Sequence, residues 1–213
     1  MSRLKTLPPK EVWVPTSWED YLQTITDPAL VKAKGYYNNG QMRVEMSPVG
    51  HDHAADNSMV DFAVRLFCTL RGVAFRGLVN CSYRRARVQE SQPDLSYYLH
   101  EQAQVIPWGT KVVDLNRYPA PDLAIEISVS SLRDDQGTKR SLYEALGISE
   151  YWVGDVQAAR VLAYQLAPQG SQRIEQSQVL TGLSMAVLAE AMQRSRRQDQ
   201  AQVGAWLLGE FQG

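Results

Sequence analysis

The sequence is poor in cysteine, has no surplus of positive charge and contains no long apolar run. Only two of its 213 residues are cysteine, Cys68 and Cys81, too few for the disulfide framework of a secreted domain. Lysine and arginine number 22 against 23 aspartate and glutamate, so the overall charge gives no support to nucleic-acid binding. No apolar stretch approaches a membrane span, and the N-terminus lacks a signal-peptide core. We therefore expect a cytoplasmic protein without a membrane segment.

What remains is the composition of an ordinary globular protein, 44% hydrophobic and 21% charged. The length suits one domain, which we expect to cover residues 1–213. We expect a Pro- and Lys-rich extended arm over 1–15 and a helical extension over about 181–213. A hairpin is indicated by the Asn39-Gly40 turn, because both residues tolerate positive φ.

Two strand-like segments begin with Pro-Asp, and their aspartates are Asp94 and Asp122. The second segment is apolar on both faces except for Glu126, which predicts a central strand. A carboxylate inside such a strand costs several kcal/mol unless it is paired or binds a metal. A helix-like segment follows with Lys139 in its first turns, four residues after Asp135, a spacing that also makes an ordinary ion pair.

Carboxylates and a lysine gathered at one edge of a sheet can hold a divalent metal and activate water. Hard oxygen ligands suit Mg²⁺ or Mn²⁺, and a bound metal lowers the pKa of its water. Asp94 and Glu126 are the candidate ligands, because their strands could be neighbours. Lys139 could orient the attacking water or stabilise the pentavalent phosphorus. The pattern predicts a metal-dependent phosphodiesterase site.

These residues resemble the PD-(D/E)XK signature of restriction-endonuclease-like nucleases and, more closely, the Uma-two family of endonucleases. The matching stretches are GQMRVEMSPVGHDHA (40–54), QPDLSYY (92–98), PDLAIEIS (121–128) and RDDQGTKRSLYEALGISEYWVGD (133–155). The resemblance implies an α/β (α+β) fold, a restriction-endonuclease-like mixed β-sheet flanked by helices. It also implies an endonuclease acting on DNA with Mg²⁺ or Mn²⁺.

The resemblance implies that Asp94 and Glu126 are metal ligands. The lysine of the superfamily should fall two residues after the glutamate, where this chain has Ser128. We therefore carry its role to Lys139 on the following helix. Asp122 is either a third ligand or the cap of a neighbouring backbone group.

Other residues could extend the site. Glu45 and His53 fall in the matching region, although a histidine at a helix start can simply bond a backbone group. Three arginines could contact phosphate, since arginine forks match phosphate oxygens, or could form a charged edge strand; they are Arg84, Arg85 and Arg87. Several aromatic residues could stack on bases, although packing is the usual role of aromatics in strands; they are Trp108, Tyr97 and Tyr98.

Three functions stay open from the sequence. The first is a Mg²⁺-dependent DNA endonuclease, and the second is an inactive nucleic-acid-binding or regulatory module, which Ser128 in place of lysine would permit. The third is a hydrolase of another phosphoester. We expect a homodimer, because cutting both strands of a duplex generally needs two active sites. The apolar segment VGAWLLGEF (203–211) either forms that contact or folds back on its own domain.

Overall fold

The computed structural model describes residues 8–46 and 50–212. Within these ranges the helices are α1 (Trp18–Ile25), α2 (His51–Leu70), α3 (Leu132–Asp134), α4 (Arg140–Leu146), α5 (Met185–Ser195) and α6 (Gln200–Gln212). The strands are β1 (Val14–Pro15), β2 (Lys34–Asn38), β3 (Gln41–Glu45), β4 (Phe75–Val79), β5 (Tyr83–Arg85), β6 (Gln89–Ser91), β7 (Leu95–Leu99), β8 (Val113–Asp114), β9 (Leu123–Ser128), β10 (Glu150–Asp155), β11 (Arg160–Ala167) and β12 (Gly170–Ile174). A π-helical turn, Asp135–Lys139, joins α3 to α4.

The strands form two six-stranded sheets, one more than the single mixed sheet implied by the resemblance. The first sheet has the order β1-β3-β2-β6-β5-β8 and the second has the order β12-β11-β10-β9-β7-β4. The second sheet is mixed, because β9 runs parallel to β10 while the other neighbours are antiparallel. Strand β9 is interior, as its apolar sequence predicts, and the mixed α/β fold class is confirmed.

The second sheet is covered on both faces. Helices α2, α5 and α6 pack on one face, where they meet Ile125 and Ile127 of β9. On the other face, Ala124 of β9 packs with Tyr36 of β2 and Tyr143 of α4. Because successive strand residues point to opposite faces, Glu126 shares the face of Ala124.

The predicted hairpin turn is confirmed, since Asn39 and Gly40 adopt positive φ of 45° and 87°. Ser17 caps α1. The end of the expected arm contacts the rest of the chain: β1 pairs with β3, and the Trp13 indole N–H donates to Asp134 at 2.7 Å. Residues 1–7 of the expected arm lie outside the described residues.

The C-terminal helices fold back onto the chain. Val203 and Leu207 of α6 are buried, and the Phe211 ring meets Phe67 of α2 with centroids 5.2 Å apart. Of the two alternatives for this apolar segment, folding back on its own domain therefore describes its buried face. Among the described residues no helix is long and apolar enough to cross a membrane.

Candidate active site

The pairing of β7 with β9 brings the two predicted carboxylates together. These strands are antiparallel with Leu95 opposite Ile125, so the next residues along, Asp94 and Glu126, are neighbours. The backbone N–H of Ile127 donates to Asp94 Oδ2 at 2.8 Å, which fixes the aspartate against β9. Both side chains line a cleft of about 390 Å³. The charged or titratable side chains of its wall include Lys34, Glu45, His53, Asp94, Glu126 and Lys139.

Glu126 is buried and held by two tyrosines. It is 2% exposed, and its Oε1 accepts hydrogen bonds from Tyr143 at 2.6 Å and Tyr36 at 3.0 Å. Its Oε2 has no hydrogen bond to any described residue. Burial raises the pKa of Glu126 to about 8, although the nearby positive charge of Lys139 opposes the shift.

Lys139 lies among three carboxylates. Its Nζ is 2.7 Å from Glu45 Oε1, 3.0 Å from Asp135 Oδ1 and 3.5 Å from Glu126 Oε1. Burial disfavours the ammonium, yet the charges of these acids hold the pKa of Lys139 well above its usual value. The predicted pair with Asp135 is therefore present, but it is buried inside the cluster instead of lying on the surface.

Asp94 has an environment opposite to that of Glu126. Lys34 Nζ contacts Asp94 Oδ1, and His53 Nε2 lies 3.4 Å from Oδ2. Burial favours the protonated acid, but the hydrogen bond of His53 and the charge of Lys34 hold the pKa of Asp94 well below its usual range. The cleft thus pairs an ionised carboxylate with one that titrates near neutral pH.

Glu45 and His53, the two residues predicted to extend the site, both contact its charged side chains. Glu45 is bound by Lys139 and by Arg43 Nε at 2.9 Å; burial opposes its ionisation, but these cations lower its pKa. His53 contacts Asp94, whereas a solvated or capping role was the expectation from sequence. His51, two residues earlier, is exposed.

The structure does not bring Asp122 to the cleft. It precedes β9 at the opposite end from Glu126, and four residues along a strand span about 13 Å. Asp122 Oδ2 accepts from the Leu99 backbone N–H at 2.7 Å, and Oδ1 accepts from Gln102 at 3.1 Å. The third-ligand role is therefore corrected, and the backbone-capping alternative holds.

Two of the three predicted phosphate-binding arginines bind groups of this chain, and the third is exposed. Arg84 binds Glu90 at 2.5 Å, and Arg85 donates to the carbonyl oxygen of Ala145 at 2.8 Å near the end of α4. Arg87 is exposed. None of them lines the cleft, so any phosphate contact that they make would lie outside it.

The aromatic candidates divide by burial. Tyr97 and Tyr98 are fully buried in the core, so they pack and do not present a face to bases. Trp108 is 90% exposed, with Arg76 over its ring at 5.2 Å.

Sequence reasoning missed Lys34, Tyr36 and Tyr143, although local signals existed. The Asn-Gly turn fixes the hairpin register, and that register places Lys34 opposite Glu45. Tyr36 follows two residues later on the same face of β2, and Tyr143 lies one helical turn after Lys139. Their meeting with Glu126, however, depends on how the two sheets pack.

The carboxylate oxygens of the cleft fit a divalent cation whose remaining ligands are water and substrate oxygens. Asp94 and Glu126 supply hard carboxylate oxygens at adjacent positions, and Glu126 Oε2 is free of hydrogen bonds to described residues. Across residues 8–46 and 50–212 no group of three or more His, Cys, Asp or Glu side chains is arranged to hold a metal. Mg²⁺ is commonly held by one or two carboxylates with waters and a substrate phosphate, so two are sufficient.

Comparison with known proteins gives a family and a fold. A family model for Uma2, described as "Putative restriction endonuclease", matches residues 18–197. A solved structure from Anabaena variabilis, titled a "putative nuclease belonging to DUF820", has a TM-score of 0.57 at 19% identity. The alignment covers 84% of this chain and 99% of that one, which shows a shared fold. A search of curated proteins finds no match.

Proposed function

The chain belongs to the Uma2 family, and on that basis we propose that it is a metal-dependent endonuclease that hydrolyses phosphodiester bonds in DNA. The observation that carries the proposal is the pairing of Asp94 with Glu126 at one end of β7 and β9, with Lys139 3.5 Å from Glu126. Two carboxylates and a lysine in one cleft suit the hydrolysis of a phosphodiester.

Asp94 and Glu126 would hold Mg²⁺ or Mn²⁺. When bound, the metal supplies charge neutralisation at the phosphate and a water of lowered pKa. Tyr36 and Tyr143 donate to Glu126 Oε1 and leave Oε2 as its ligand atom. Lys139 lines the cleft and would orient the attacking water.

The proposal also includes DNA as the substrate, assembly as a homodimer and a cytoplasmic location. The description of the family as a restriction endonuclease supports DNA. The formal net charge of -1 does not, so contacts to the backbone would have to be local. Two copies would supply the two sites needed to cut both strands.

One observation favours the alternative of a binding module without catalysis. Lys34 and His53 already contact Asp94. A carboxylate whose negative charge is compensated by a neighbouring cation binds a metal more weakly. This alternative keeps the cleft as a phosphate-binding surface and predicts no strand cleavage.

Supercoiled-plasmid cleavage in Mg²⁺ or Mn²⁺ tests the proposal. We expect nicking by the wild type and a loss on the order of a hundredfold or more in Glu126→Gln, as for removal of a group that stabilises transition-state charge. Asp122→Asn is the matched control, since Asp122 flanks the same strand outside the cleft, and it should cleave normally.

Three outcomes count against the proposal. Equal cleavage by Glu126→Gln would place the activity elsewhere or in a contaminant. No cleavage by folded wild type in either metal would favour the binding module. Hydrolysis of small phosphoesters without cleavage of DNA would favour the third function.

A further inference from the structure

Lys34 differs from Lys139 in its freedom to move. The side chain of Lys34 is 19% exposed and lines the cleft, whereas that of Lys139 is 2% exposed. Lys139 has three carboxylates within 3.5 Å, while the one acid paired with Lys34 is Asp94 among the described residues. A lysine on a flexible four-carbon stem with one partner can swing away when another cation takes its place beside the acid.

Asp94 offers only one oxygen to a ligand. Its Oδ2 already accepts from the backbone N–H of Ile127 at 2.8 Å and lies 3.4 Å from His53. Its Oδ1 is the oxygen that Lys34 contacts. A metal ion at Oδ1 and the Lys34 ammonium would repel each other, because both would be cations within a few Å of one oxygen.

We propose that Lys34 is a tethered cation that occupies Asp94 Oδ1 in the metal-free protein and must leave before that oxygen binds a divalent metal. The inference rests on the proposed function, since a metal at Asp94 is part of it. Released from Asp94, Lys34 remains at the cleft wall, where its ammonium can contact a phosphate oxygen of the substrate as a point charge. Lys34 would thus weaken metal binding by competing for Asp94, and it would assist the reaction by contacting the substrate phosphate.

Calorimetric titration with Mn²⁺ tests the competition without requiring activity. Lys34→Gln removes the competing charge, and we expect Mn²⁺ to bind at least about tenfold more tightly, because a unit charge a few Å away opposes a cation even in a polar medium. Lys34→Arg keeps the charge and should bind as weakly as the wild type. Lys32→Gln, exposed two residues earlier, is the matched control and should match the wild type.

The outcomes separate this inference from the proposed function. Unchanged or weaker Mn²⁺ binding by folded Lys34→Gln would overturn the competition while leaving the metal site in place. Absence of Mn²⁺ binding by both the wild type and Lys34→Gln would contradict the metal-dependent function itself and overturn the inference with it. In plasmid cleavage at saturating Mn²⁺, Lys34→Gln should be slower than the wild type, and an equal rate would overturn the phosphate contact.

Discussion

The buried carboxyl of Glu126 should make the metal-free protein lose stability as pH rises. Its pKa is about 8 in the folded chain against 4.5 in its ordinary state. Between these values the folded state holds a proton that the unfolded state has released. The free energy of unfolding therefore falls with rising pH through this window, by at most about 1.4 kcal/mol per pH unit.

Three neighbouring ionisable groups, Glu45, Asp94 and Lys139, do not produce this slope. Glu45 and Asp94 have lowered pKa values, so they are ionised in both states above about pH 5. Lys139 has a raised pKa and carries its proton in both states below about pH 10. From pH 5.5 to 7.5 Glu126 alone should lower the free energy of unfolding by on the order of 2–3 kcal/mol.

Urea unfolding with a chelator, followed by tryptophan fluorescence at pH 5.5, 6.5 and 7.5, measures the effect. Glu126→Gln imitates the protonated acid, so it should have nearly the wild-type stability at pH 5.5 and exceed it at pH 7.5. Glu101→Gln, on the exposed surface, should follow the wild type at every pH. Parallel curves for the wild type and Glu126→Gln would refute the reasoning about burial.

Three further perturbations follow from the structure. Lys139→Met leaves buried acids without their cation and should lower the free energy of unfolding by about 3–5 kcal/mol, measured by urea denaturation. Tyr143→Phe removes a hydrogen-bond donor from Glu126; it should cost about 1 kcal/mol of stability and reduce plasmid cleavage, whereas unchanged cleavage would deny it a positioning role. Burial raises the pKa of both thiols, that of Cys68 to about 11, but Cys68 is buried and Cys81 is only half-buried; a thiol reagent at pH 8 should therefore label Cys81 slowly and leave Cys68 unmodified until the chain unfolds.

Much of the fold was predictable because its signals are local. The Asn-Gly turn gave the right hairpin, and the lone acid in an apolar strand pointed to Glu126. The pairing of Val14 with Met42 was not predictable, because it is a long-range contact with no local signature. Arg43 lies on the polar face of its strand yet is buried, because Glu45 and Asp134 cover it.

The site was predictable in part for the same reason. Residue types singled out Asp94, Glu126 and Lys139, but their distances depend on which strands are neighbours. The antiparallel register of β7 and β9 puts Asp94 beside Glu126 and Asp122 at the far end. The two Pro-Asp segments look alike in sequence, so the pattern does not show which aspartate lies beside Glu126. That depends on the order and register of the strands, which neither segment determines by itself.

The most direct test of the account is calorimetric titration of Mn²⁺ into the wild type, Asp94→Asn, Glu126→Gln and Asp122→Asn. The account predicts binding by the wild type and Asp122→Asn and its loss in the other two variants. Wild-type affinity in Asp94→Asn and Glu126→Gln, or no binding by any of the four folded proteins, would contradict a metal centre at this pair of carboxylates.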